Sequence, residues 1–174
     1  MTREHVQDSN SSKGSALLAG KYLTFHLGEE EFGLQIMKVQ EIIGLTSITK
    51  LPSMPVHIRG IINLRGRIIP IVDLRAKFEM PASPDTDKTC IIAMELGLPG
   101  AKIAVGLLVD QVSEVLDVSP EDAAEAPDIG QSRTMSFVLG VGIVKGGIKL
   151  LLDIDRALKA AETEITEPAG VMAS

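Results

Sequence analysis

The residues best able to carry chemistry in this sequence are three histidines, one cysteine and a few carboxylates, and their spacing does not assemble a reaction centre. His5, His26 and His57 stand far apart, none with a Cys, His or carboxylate at metal-ligand spacing. They read as ordinary surface residues. Cys90 sits in TCIIAM with no histidine placed to activate it, so it reads as a small buried hydrophobe. The run Glu29-Glu30-Glu31 reads as a solvated turn, not an acid–base pair. Gly14 to Tyr22 (GSALLAGKY) has one residue too many between its glycines for a phosphate loop, and Tyr22 stands where a metal-binding hydroxyl is needed. Gly140 to Gly146 (GVGIVKG) leads into a strand pattern, whereas a dinucleotide fingerprint opens a helix. No GxSxG elbow occurs. The sequence therefore predicts no catalytic residue, no metal and no cofactor.

Two charges in apolar company point to binding instead. Arg65 and Gly66 separate the runs Ile61-Ile62-Asn63-Leu64 and Ile68-Ile69-Pro70-Ile71-Val72, which read as a β-hairpin. Gly66 supplies a positive φ at the turn and leaves Arg65 outward at its tip. Both faces of the second strand are apolar, and Pro70, lacking an N–H, marks an edge strand where a partner can dock. Glu41 sits in an amphipathic helical turn among Val39, Ile42 and Ile43. An arginine and a carboxylate beside aliphatic anchors suit a protein interface.

The elements that hold these residues are mostly strands. The chain has 174 residues, 45% of them hydrophobic, with one Tyr, four Phe and no Trp. A net charge of −6 and so few aromatics argue against nucleic acid, which needs a basic face and stacking platforms. The lone cysteine reads as a reducing, cytoplasmic setting, and no apolar run approaches the length of a membrane span. Residues 1–18 and 162–174 read as loose tails. Tyr22 to Leu27 and Phe32 to Ile36 form a hairpin, and Pro81 to Asp85 opens a linker, residues 81–87. Thr89–Leu96, Ile103–Val109, Val112–Val118, Phe137–Val144 and Ile148–Leu152 then read as strands, with Ser119–Thr134 as a long surface loop. Residues 153–161 lose the strand period and read as a C-terminal helix.

The halves overlay. A shift of 80 residues sets Gly60 on Gly140, Arg65-Gly66 on Lys145-Gly146 and Asp73-Leu74 on Asp153-Ile154. A shift of 73 sets Phe32-Gly33-Leu34 on Val105-Gly106-Leu107 and Glu41 on Glu114. The reading is an all-β domain over residues 19–161, with short helices. It comprises two similar five-stranded SH3/OB-like barrel lobes, about 19–80 and 88–152.

KVQEI (Lys38 to Ile42) followed by IRGIINLRGRIIPIVDLRAKF (Ile58 to Phe78) closely resembles the CheW family of bacterial chemotaxis coupling proteins. GLLVDQVSEVL (Gly106 to Leu116) and FVLGVGIVKGGIKLLLDIDRAL (Phe137 to Leu158) resemble its second half, so the likeness spans roughly Lys21 to Ala161. It implies two intertwined five-stranded barrels and a non-enzymatic adaptor. Such an adaptor joins the cytoplasmic tips of methyl-accepting chemoreceptors to the regulatory domain of a CheA-type histidine kinase. It would be cytoplasmic and recruited to receptor arrays, without membrane insertion. By that likeness Val39, Glu41 and Arg65 help form the receptor surface, with Ile42, Gly60, Asn63 and Gly66 beside them. Ile43 departs from many relatives, which carry a polar or basic residue there. The competing reading is a small-ligand-binding β-barrel, for which the sequence offers no converging polar side chains.

Overall fold

A computed structural model describes residues 16–98, 100–126, 135–145 and 147–158 of the chain. Most of both expected tails, residues 127–134 of the long loop and 159–161 of the C-terminal helix lie outside that set. Among the described residues eleven strands follow one another: β1 (Gly20–Leu27), β2 (Glu30–Gln35), β3 (Val39–Gly44), β4 (Ile58–Leu64), β5 (Arg67–Asp73), β6 (Cys90–Leu98), β7 (Ala101–Val109), β8 (Gln111–Val118), β9 (Ala123–Glu125), β10 (Val138–Val144) and β11 (Gly147–Leu152). They form two sheets, a six-stranded one in the order β8-β1-β2-β11-β10-β9 and a five-stranded one in the order β3-β6-β7-β5-β4. The fold is all-β with short helices.

Strand pairing does not follow the consecutive lobes expected from the linker at 81–87. Among the described residues, one compact unit contains residues 16–36 together with those of Ser113–Asp153, and the other contains those of Met37–Val112 and residues 154–158. The chain thus passes from one unit to the other three times. The reason lies in long-range pairing: β2 finds β11 and β5 finds β7 in parallel ladders, which no local turn signal encodes.

In the six-stranded unit, Leu23, Phe25, Leu27, Phe32 and Leu34 are fully buried, and Phe25 stacks on Phe32 with ring centroids 5.8 Å apart. In the five-stranded unit the core is aliphatic, built from Ile69, Ile71, Ile91, Ile92 and Leu107. Residues 154–158 are helical and bury Ile154, Ala157 and Leu158.

The duplication read from the sequence extends to local geometry. The register slips between Ile58 and Gly60 in one unit and between Val138 and Gly140 in the other. The Asp73 N–H donates to the His57 carbonyl at 2.7 Å, and 80 residues on the Asp153 N–H donates to Phe137 at 2.7 Å. Arg65 and Lys145 both hold a positive φ, 53° and 55°. Ile71 pairs with Gly106 and Leu151 with Gly33, the same match under the two shifts. β9 pairs with β10, whereas its counterpart is a single bridge from Thr49 to Ile61, which explains six strands against five.

Four local readings are corrected. The stretch from Met37 to Ile43 is not a helical turn: only Ile36–Lys38 form a 3-10 turn, and Val39–Gly44 is strand. β-branched Val39, Ile42 and Ile43 suit the pleated surface, and apolar β6 supplies the partner. Pro70 does not mark an edge, since β5 lies between β4 and β7. The ladder to β7 starts at Ile71, so the missing N–H falls just before it. The loop after Val118 contains a 3-10 turn, Pro120–Asp122, and β9. His57 is buried, not a surface residue, because its carbonyl anchors the end of β5.

Candidate docking surface

The hairpin β4–β5 turns on two residues of positive φ, Arg65 at 53° and Gly66 at 85°. This is the handedness that matches the twist of paired strands. Arginine in that region costs roughly 1–2 kcal/mol, a strain characteristic of sites where the chain must aim a side chain. The Asn63 Oδ1 accepts the Gly66 N–H at 2.8 Å and steadies the turn. Asn63, Arg65 and Gly66 are all exposed.

Glu41 reaches Arg65 from the opposite end of the sheet order. Arg65 Nη1 donates to Glu41 Oε1 at 2.8 Å and Nη2 to Oε2 at 2.9 Å, a two-pronged clasp between the end strand β3 and the β4–β5 tip. The Arg65 side chain is 76% exposed and that of Glu41 26%, so solvent screening holds the pair to about 0.2–1 kcal/mol. The clasp contributes geometry more than stability. The sequence placed the two residues separately; the structure joins them.

Two apolar side chains are exposed on the faces of β3 and β5 opposite those that carry Glu41 and Arg67. Ile42 on β3 is 45% exposed and Ile68 on β5 is 60% exposed, whereas Val39 is half-buried. Beneath the clasp lies an open cleft of about 480 Å³. Gln40 and Glu41 of β3 form one wall, Leu64 and Arg65 the tip, Arg67 and Ile69 the β5 side, and Ala93 and Ala104 the floor. Sequence reasoning missed Arg67 and this cleft. The signal was present in a second arginine beside the tip, but exposure on a doubly apolar strand is not readable from periodicity.

Gly60 is not at the surface. Its φ is +149°, and a Cβ there would fall 2.3 Å from the Thr49 carbonyl oxygen, which brings the Thr49 bridge against β4. The DLR segment after β5 is also structural. The Asp73 carboxylate caps the helix Leu74–Lys77, accepting from the Arg75 and Ala76 N–H groups. Arg75 bonds the Asp110 carboxylate and the Pro81 carbonyl. That pairing with Asp110 raises the Arg75 pKa above its ordinary value against the opposing effect of burial. Arg59 adds ion pairs to Asp85 at 2.7 Å and Asp73 at 3.4 Å, tying the linker residues to the unit.

No group of three or more His, Cys, Asp or Glu able to hold a metal occurs among the described residues. Cys90 is half-buried, and burial pushes its thiol pKa up, away from the reactive thiolate. No helix among the described residues is long and apolar enough to cross a membrane.

A model of the CheW-like domain matches residues 21–162. A chemotaxis protein CheW from Rhizobium meliloti is 36% identical over 156 residues, 90% of this chain and 98% of the relative. A chemotaxis protein CheW from Klebsiella aerogenes is 35% identical over 147 residues, 84% of this chain and 86% of the relative. Among solved structures, the scaffolding protein TtCheW from Thermoanaerobacter tengcongensis superposes with a TM-score of 0.68 at 35% identity, covering 77% of this chain and 88% of its own.

Proposed function

This chain belongs to the CheW family, and on that footing we propose that it is a non-enzymatic scaffold that couples chemoreceptors to a histidine kinase in bacterial chemotaxis. The observation that carries the reading is the exposed Glu41–Arg65 clasp between β3 and the β4–β5 tip. It presents an oriented pair of charges at a hairpin tip, a group suited to docking a protein partner. The receptor surface comprises Val39, Glu41, Ile42, Asn63, Arg65 and Gly66, while Gly60 acts behind it by shaping β4. The partners are the cytoplasmic tip of a methyl-accepting chemoreceptor and the regulatory domain of a CheA-type kinase, and the protein works in the cytoplasm at receptor arrays. The adaptor holds both in a geometry where receptor state biases kinase activity, so its contribution is a coupling free energy and not a reaction.

The test is reconstitution with receptor-containing membranes and kinase, comparing the wild type with Arg65→Glu. Loss of receptor-dependent kinase control in a folded Arg65→Glu variant supports the assignment; full control removes Arg65 from the surface.

A further inference from the structure

The two units carry the same cleft position with different contents. In the five-stranded unit the position holds Arg67, Ile69, Ala93 and Ala104. By the duplication's shifts and the strand registers, the corresponding residues of the six-stranded unit are Gly147, Lys149, Thr24 and Glu31. There the position is closed from within. Lys149 Nζ lies 2.7 Å from Glu31, with the Lys149 side chain 11% exposed, and Thr24 is buried with its hydroxyl bonded to the Glu114 carbonyl at 3.0 Å. With an isoleucine and two alanines in their place the cleft is open, Ile69 and Ala93 being buried and Leu64 and Ala104 half-buried. The fold does not require a cation at the rim, because the other copy manages with Gly147.

Arg67 is exposed and makes no ion pair among the described residues, while Arg65 beside it is already satisfied by Glu41. The cleft therefore carries one uncompensated positive charge on a chain whose net charge is −6. A guanidinium beside the half-buried Leu64 and Ala104 is complementary to a carboxylate next to a small apolar side chain. In the six-stranded unit Glu31 pairs with Lys149, whereas in the five-stranded unit Ala104 stands at the position of Glu31 and supplies no carboxylate.

We infer that the cleft under the Glu41–Arg65 clasp is an anchor site for a partner segment that places a carboxylate on Arg67 and an adjacent small apolar side chain against the half-buried Leu64 and Ala104. The inference rests on the docking role proposed above and names the partner chemistry that site selects. Arg67 is its specificity-determining residue.

The experiment measures binding of the full chain to a purified cytoplasmic fragment of a methyl-accepting chemoreceptor from the same organism. It compares Arg67→Gln, Arg67→Glu and Arg65→Glu, each checked for an unchanged circular dichroism spectrum. Arg67→Gln weakens binding about tenfold and flattens its salt dependence, and Arg67→Glu weakens it further. A series of fragments, each with one Glu or Asp changed to Lys, contains one that restores binding to Arg67→Glu and to no other variant. Wild-type binding by Arg67→Gln and Arg67→Glu, with Arg65→Glu defective, overturns the anchor site and leaves the docking role standing. A wild-type chain that does not bind the fragment overturns both.

Discussion

Replacing Gly60 by alanine tests how tightly the candidate surface is supported from behind. The added Cβ would meet the Thr49 carbonyl oxygen at 2.3 Å, its carbon at 2.8 Å and the Ile48 Cγ2 at 2.8 Å. Two of these are backbone atoms, so no side-chain rotation relieves the overlap. The Thr49 segment must move off β4 and weaken its two bridging hydrogen bonds, each 2.9 Å long. Losing them costs about 0.5–1.5 kcal/mol apiece, and holding alanine at a φ of +149° adds about 1–3 kcal/mol. The expected destabilisation is about 3–5 kcal/mol, which lowers Tm by about 6–20 °C for a chain of this length. Urea unfolding followed by circular dichroism measures it, with the m-value checked for constancy. Gly66→Ala is the control: its φ is +85° but no atom lies within 4 Å of the added Cβ, so it loses only about 1–2 kcal/mol. A Gly60→Ala chain within about 0.5 kcal/mol of the wild type would refute the close approach and the role assigned to Gly60.

Reversing one charge of the clasp, Arg65→Glu or Glu41→Arg, lowers stability by about 1 kcal/mol or less, and the double reversal recovers part of it; thermal melts of all four proteins give the coupling. Asp110→Ala leaves Arg75, 16% exposed, without its carboxylate and destabilises by about 1.5–3 kcal/mol, measured by urea unfolding. Burial raises the Tyr22 and Cys90 pKa values above 10.0 and 9.0, so the folded state keeps these protons after the unfolded chain has lost them. Their contribution is full below those values and is lost as pH rises through the folded-state pKa values. Unfolding free energy measured from pH 8 upward therefore falls with pH, and Tyr22→Phe makes the fall shallower.

The sequence was legible where signals were local. The hairpin at Ile58–Asp73 was readable because two aliphatic runs flank a glycine turn, and its copy at Val138–Leu152 repeats that pattern. The assignment of strands to sheets was not readable, because parallel pairing joins segments far apart in sequence, as at Leu151 and Gly33. The docking residues divide the same way. Arg65 was recognisable at its turn and Glu41 beside its apolar neighbours, yet their pairing depends on a sheet whose end strands are separated by the whole β-order. Arg67 escaped because its meaning comes from a comparison of clefts, and the alanines that open one of them look like ordinary strand residues. Gly60 was grouped with the surface by resemblance; its buried approach to Thr49 shows it to be a support.

The decisive assay is kinase autophosphorylation with receptor-containing membranes, in the presence and absence of this protein, with the pellet analysed for all three components. The scaffold reading expects the chain to sediment with receptor and kinase together and to raise receptor-controlled phosphorylation. It also expects both effects to be lost in a folded Arg65→Glu variant. A wild-type chain that pellets with neither component, or leaves kinase activity unchanged, would contradict the coupling function while leaving the fold intact.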